Sequence, residues 1–278
     1  MPSRPNVLNA VPARGETLPL SVPRKVVCDL LHIAQRVPTV PVQRVVDLSC
    51  LTDLRKAGEQ TIGWCTIFTK AYAQVAMEIP ALRRAYLEYP RPRLYQHPCN
   101  AASVAISRDY GGEPAVFFGY IPRPENVPLV ELEAAIRWYR QAPIEDAFSF
   151  TLNFYRLPRF LRRIAWWYLM NVRGSRKAEF LGTFGVSVYS HLGAESLHPL
   201  SPLTTVMNYG VIGADHRVSV RLVYDHRVLD GGSVAKALVR LEEVLQTTIR
   251  QELIDLRNSA ARSAVASSLH ATEPVGVS

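Results

Sequence analysis

Cysteine is sparse and scattered: the four residues Cys28, Cys50, Cys65 and Cys99 form no Cys-x-x-Cys pair. That argues against a zinc ribbon or a disulfide framework and points to reduced thiols in a reducing compartment. Long apolar runs are missing too. No stretch reaches the roughly 20 residues that span a bilayer, and the opening residues lack the continuous apolar core of a signal peptide, so a cytoplasmic protein is expected. There is no fixed-period repeat and no internal linker long enough to separate two domains. None of the usual nucleic-acid-binding motifs accompanies the basic residues, so no nucleic-acid partner is expected. His32, His97, His191, His198, His216 and His270 fall at no ligand spacing, and no metal is expected.

What is present is an ordinary globular composition: 278 residues, 48% apolar, with 32 Lys and Arg against 24 Asp and Glu. A net charge of +8 favours acidic partners without choosing among phosphate-bearing molecules, acidic proteins and anionic membranes. Residues 1–20 and 258–278 lack periodicity and read as poorly ordered tails, leaving one folded body over 21–257.

Along that body, Val26, Val27, Leu30, Leu31 and Ala34 recur at helical spacing after Pro23 and stop before Pro38 and Pro41. The run from Val40 to Cys50 reads as a strand, and Leu51 to Gly58 as a short helix capped by Ser49 or Thr52. Residues 62–79 read as a buried helix stopped by Pro80, with a further turn over 80–87. Asn100–Ser107 and Ala115–Ile121 form two strands around a turn at Asp109, Gly111 and Gly112, and 130–139 is a helix. Beyond Leu181, Phe184, Val186 and Val188 alternate with Gly185, Ser187 and Tyr189, so Ser187 faces away from Phe184. The segment from Thr204 and the strand ending at His226 form an antiparallel hairpin, and a last helix runs from Ser233 to near Leu253.

Residues 154–177 interleave Arg156, Arg159, Arg162, Arg163, Arg173, Arg176 and Lys177 with Phe160, Leu161, Ile164, Trp166, Trp167, Tyr168 and Leu169. A helix packing its apolar side on the body or on another subunit, with its arginines solvated, fits this pattern. So does an interfacial membrane helix or a basic binding face.

The stretch around which the chain is organised is Arg221 to Gly232, RLVYDHRVLDGG. Val218, Val220 and Leu222 lead into it as a half-buried strand and Ser233 opens a helix, so His226 and Asp230 lie in the turn between. Imidazole titrates near working pH and suits a general base. Asp230 could orient the histidine or pin the turn through a cation; the pinning role is favoured, because a buried aspartate requires such a partner.

This His-x-x-x-Asp-Gly after Tyr-Asp resembles the catalytic signature of the dihydrolipoamide acyltransferases, core subunits of 2-oxoacid dehydrogenase complexes, and less closely that of chloramphenicol acetyltransferase. The likeness continues in order: PRKVVCDLL resembles the family's Arg-Lys first helix, IGWCTIFTKAYAQVAMEIPAL its Pro-x-Leu helix, NAASVAIS its Asn-x-x-x-Ala strand, and LGTFGVSVYSHLG its Gly-Thr-Phe-Thr-Ile-Ser segment. It covers roughly residues 22–250.

The resemblance implies an α/β fold, a chloramphenicol acetyltransferase-like two-layer sandwich of a mixed sheet with flanking helices. It implies a homotrimer, or a larger assembly of such trimers, with active sites between subunits. CoA or acyl-CoA would be the substrate, with no tightly bound cofactor. His226 would be the general base and Ser187 of a neighbouring subunit would bond the oxyanion. Asp230 would be a structural partner of the turn, with Gly231 beside it and Arg24 matching the arginine that pairs with this aspartate in relatives. Three departures stand out. No lipoyl-like or subunit-binding module precedes residue 20, so the acyl donor is expected from solution or from a carrier protein in trans. Gly185 replaces the usual threonine. Residues 154–177 have no counterpart, which leaves open a non-catalytic trimeric assembly or a protein in peripheral membrane contact through that segment.

Overall fold

The computed structural model describes residues 15–56, 60–189 and 193–270. The strands are β1 (Thr39–Asp47), β2 (Arg84–Leu87), β3 (Arg93–Gln96), β4 (Ala101–Tyr110), β5 (Glu113–Pro122), β6 (Phe184–Val186), β7 (Thr205–Tyr209) and β8 (Arg217–Asp225). The helices are α1 (Val22–Ala34), α2 (Ser49–Thr52), α3 (Trp64–Glu78), α4 (Leu129–Gln141), α5 (Ile144–Ala147), α6 (Ser149–Phe154), α7 (Arg159–Asn171), α8 (Gly174–Leu181), α9 (Gly231–Val244) and α10 (Arg250–His270).

A six-stranded sheet runs in the order β1-β8-β7-β6-β4-β5. β1 and β7 flank β8 antiparallel, β4 and β5 form an antiparallel pair, and β6 is parallel to both β4 and β7. It is the mixed sheet with flanking helices that the resemblance implied. Because side chains alternate along a strand, the two faces differ. One carries Val104, Ile106, Phe117, Phe184, Val186, Met207, Leu222 and Tyr224, all buried in the core with α3 and α9. The other carries Ser103, Ala105, Phe118, Gly185 and Ser187, and its cavities are walled in part by α1.

Local chemistry explains the helices that frame the sheet. Ser21 caps α1, its hydroxyl accepting from the Arg24 backbone N–H at 3.4 Å, and Pro23 occupies the first turn. In α9, Val234, Ala237, Leu238, Leu241 and Val244 keep a buried stripe. The strand pair β2–β3 was not expected: 80–87, read as further helix, contains only a short 3-10 turn at Pro80–Arg83 before β2 begins. The C-terminal helix also outruns its expected end. A π turn at Leu245–Ile249 leads into α10, which continues to His270 where a tail was expected from 258. Ala260 and Ala261 are strong helix formers, and no Gly or Pro interrupts the chain before Pro274. Gly58, residues 1–14 and residues 271–278, which held parts of the other expectations, lie outside the described residues.

The basic-aromatic segment forms α7 and α8, and two of its cations are not solvated as expected. Arg162 is buried on α7, where its Nε donates to Asp29 of α1 at 2.9 Å and its Nη1 to the Leu157 carbonyl at 2.7 Å. Its guanidinium also lies 4.8 Å from the Tyr155 ring centroid. Lys177 on α8 is 4% exposed. Trp166, Leu169 and Met170 turn inward with Arg162, while Phe160 and Ile164 stay 63% and 61% exposed. The Arg162–Asp29 pair thus pins α7 to α1. Asp29→Ala leaves a buried guanidinium without its carboxylate, and urea unfolding is expected to show a loss of about 3–5 kcal/mol; a change below 1 kcal/mol would show that the pair does not fix α7.

Candidate active site

Two pieces of main chain position the candidate residues. Before Ser187, Gly182 has φ 83°, and a Cβ there would lie 2.6 Å from the Ala101 carbonyl oxygen, so glycine is required. Thr183 then bonds back to β4, its backbone N–H donating to Ala101 O at 2.7 Å and its Oγ1 accepting from Ala101 N at 3.0 Å. These bonds seat β6 beside β4 and carry the chain to Ser187, whose N–H donates to Met207 O at 3.1 Å. Ser187 is half-buried on the face away from Phe184, as the alternation predicts, and lines a cavity of about 260 Å³.

His226 follows β8, with its backbone N–H donating to Pro38 O at 2.9 Å. Its side chain is exposed, and its ring centroid is 5.6 Å from that of Tyr224. The turn around it is held by Asp225, which is buried and takes Arg227 Nε at 3.0 Å and Nη2 at 2.8 Å while accepting the Arg227 backbone N–H at 3.0 Å. The Arg227 guanidinium covers the Tyr86 ring at 4.3 Å. Lys177 completes this group. Burial pulls its ammonium down to about 8; Asp225 opposes the shift and Arg227 adds to it. Asp225 and Arg227 flank His226 in the motif, although their pairing was not expected from it. Nothing in the sequence around Lys177 signals that it is buried.

Asp230 caps α9, accepting the Ser233 backbone N–H at 2.8 Å. That N–H holds its carboxylate below the ordinary range. The expected ion pair with Arg24 is absent among the described residues. Arg24 is exposed on α1, and Asp230 is exposed and satisfied by the helix N-terminus instead. A capping aspartate with an N–H partner needs no buried cation. Gly231 opens α9, where a Cβ would meet only the Tyr224 hydroxyl at an ordinary 3.5 Å.

The decisive geometry is the separation of the two candidates. Continuing the β6–β7 register puts Ser187 beside Asn208, which pairs with Arg221 on β8, five residues before His226. At about 3.3 Å per residue along a strand and about 4.8 Å between strands, they are roughly 19 Å apart in one chain. Each therefore has its own surroundings. On the Ser187 side, Asn208 Nδ2 donates to Ser196 O at 2.8 Å, and Arg221 bonds Gln43 and Glu195, each at 2.6 Å. On the His226 side, a cavity of about 290 Å³ is lined by Arg36, Arg163, Lys177, Arg227, Trp167 and Asn171, among others. Among the described residues, no cluster of His, Cys, Asp or Glu is placed to hold a metal, and no helix is long and apolar enough to cross a membrane.

The six-stranded mixed sheet and its flanking helices are similar in fold to solved acyltransferase catalytic domains. Solved structures with that fold include a dihydrolipoamide acetyltransferase of Azotobacter vinelandii, with TM-score 0.62 and 17% identity over 91% of this chain and 100% of that one. A probable dihydrolipoamide acetyltransferase of Listeria monocytogenes gives 0.59 and 18% over 84% and 94%. The cubic core of the pyruvate dehydrogenase multienzyme complex gives 0.59 and 17% over 91% and 100%. No family model and no curated protein matches the sequence.

Lys177 yields a pH prediction. The folded chain releases its proton near pH 8, whereas an unfolded lysine holds it to about 10.4. Between those values the unfolded state binds more protons, so this group's penalty falls as pH rises. Lys177→Met is expected to stabilise at pH 7 and to lose that advantage towards pH 10, read from urea midpoints; an advantage independent of pH would contradict a buried, strained cation.

Proposed function

We propose that this chain is an acyltransferase that moves an acyl group between CoA, or a carrier thiol, and an acceptor, in a site shared by two copies of the chain. The observation that carries the reading is the division of the reactive groups. An exposed histidine on a braced turn and a half-buried serine on a cavity wall are too far apart to serve one another within a chain. His226 of one copy meeting Ser187 of the next would complete the site. A closed homotrimer would build three equivalent sites in this way.

The chemistry follows from the groups. His226 takes the proton from the acceptor heteroatom as that atom bonds the thioester carbon. The carbonyl oxygen gains charge and is met by the Ser187 O–H. Collapse breaks the C–S bond, and the proton on His226 passes to the departing sulfur, leaving a free thiol. Asp230 holds the helix N-terminus behind the turn, a positioning role. The cations Arg36 and Arg163, which line the cavity with Arg227 of the turn, favour a donor bearing phosphates, as CoA does. In the Azotobacter vinelandii enzyme, a serine, and a histidine with an asparagine four positions on, have been investigated for their roles in the catalytic mechanism. Ser187, His226 and Asp230 supply a comparable set, with aspartate for asparagine. The cubic core among the similar structures supports self-assembly.

A thiol-release assay with a panel of acyl-CoAs tests the reading. His226→Ala is expected to lower turnover about 10² to 10⁴-fold, and Ser187→Ala about 10² to 10³-fold. Unchanged turnover in His226→Ala would overturn the assignment of the base, and activity confined to a lipoyl- or phosphopantetheine-bearing protein would make that carrier the donor. The exposed Phe160 and Ile164 on α7 favour one rival, a membrane-surface protein without catalysis. It requires sedimentation with anionic lipid vesicles that Phe160→Ser with Ile164→Ser abolishes, and no transfer from any thioester.

A further inference from the structure

The helices α6, α7 and α8, which carry the segment without a counterpart in the acyltransferase pattern, wall a second cavity beside the Ser187 face. Its volume is about 450 Å³, within the range of about 300–1,000 Å³ of ligand pockets. Leu30 of α1, Phe118 of β5, Phe154 of α6, Trp166 and Leu169 of α7 and Phe180 of α8 contribute to its lining. Arg176 is the one charged lining residue among those described, and Glu179 holds it at 2.7 Å. The chamber is therefore apolar and largely aromatic.

It also joins the cavity that Ser187 lines. Leu30, Ser103, Phe118 and Leu181 belong to both. The sheet register explains the passage. Ser103 pairs with Gly185 on β6 and with Tyr120 on β5, and Ala105 pairs with Phe118. Continuing the β4–β6 register puts Ala105 beside Ser187, so Ser187, Ala105 and Phe118 form one row across the same face. Phe118 is then about 10 Å from Ser187, two strands away. The residues between, Gly185, Ser103 and Ala105, are all small, so the floor of the passage stays open.

We infer that this chamber holds the acyl chain of the substrate, and that the group transferred is a long hydrocarbon acyl rather than acetyl. The inference rests on the proposed acyl transfer and goes beyond it in naming the acyl class. With the thioester carbonyl at Ser187, the tail runs over Ser103 and Ala105 into the aromatic chamber, where acetyl would leave the space unfilled. Each methylene buried strengthens binding about fourfold, equivalent to about 0.8 kcal/mol.

Two readings on the full-length protein test this and separate it from the proposed reaction. In the first, dansyl-undecanoic acid is titrated and then competed with palmitate. Saturable binding displaced by palmitate is expected, weakened on the order of tenfold or more by Phe150→Glu, which puts a charge on a wall residue that is 59% exposed and can change without disturbing the core. In the second, palmitoyl-CoA and octanoyl-CoA are compared with acetyl-CoA. The long chains are expected to exceed acetyl by at least about a hundredfold in kcat/KM, the gain from burying roughly three to four methylenes, and Ser103→Phe, which plugs the passage, to reverse that order. Absence of probe binding with acetyl-CoA the best substrate overturns the inference and leaves the acyltransferase reading standing; a second copy covering the chamber would give that result. Probe binding that Phe150→Glu abolishes, with no turnover of any thioester, upholds the chamber and removes the reaction.

Discussion

Alternation of side chains across one sheet is the constraint on which the other features depend. Val186, Met207 and Leu222 sit in adjacent strands on the face that packs against α3 and α9. Their neighbours on the opposite face are Ser187, Asn208 and Arg221. A slip of one residue in β6 would bury the serine in the core and turn Val186 towards the open cavity. The register is fixed where such a slip would begin: Thr183 Oγ1 both accepts from the Ala101 N–H and donates to the Ala101 carbonyl, and Gly182 is needed because a Cβ there would lie 2.6 Å from that carbonyl oxygen. The same sheet sets the position of the histidine. β8 runs antiparallel to β7 and β1, so its end, and His226 with it, lies at the opposite end of the sheet from Ser187.

Most of this framework was legible because it rests on local patterns. The period of two around Ser187, the Gly-Gly turn between β4 and β5, the proline stops of α1 and α3, and the turn bearing His226 each announce themselves within about ten residues. The features that were not legible depend on partners remote in sequence. Arg162 looked like one more solvated cation because Asp29, its partner, is 133 positions away. Lys177 likewise gave no sign of lying against the Asp225–Arg227 pair. β2 and β3 are only four residues each and follow a proline turn that reads as helix. The expected Arg24–Asp230 pair failed for a local reason: the backbone N–H of Ser233 already satisfies the carboxylate, and the motif spacing does not distinguish a helix cap from an ion pair.

The two halves of the candidate site differ in character. The His226 half is cationic, braced by Asp225, Arg227 and Tyr86, and opens on a cavity rich in arginine. The Ser187 half opens on small residues and then on the aromatic chamber formed by α6 to α8. A donor with a charged, phosphate-bearing end and an apolar end would span such a junction, with its reacting carbon where the halves meet. The buried Arg162 ties α7, and with it the chamber, to α1, the helix whose C-terminal end leads into the strand paired with β8 beside His226.

That the site is shared between copies is the central claim, and subunit mixing tests it most directly. His226→Ala and Ser187→Ala chains, each close to inactive alone, are denatured, mixed in equal amounts and refolded together. Random assembly of closed trimers places an intact histidine against an intact serine in roughly a quarter of the sites, so activity should return to about that fraction of wild type. Activity no higher than the sum of the two separate variants, in mixtures shown to contain hybrid trimers, would contradict the account.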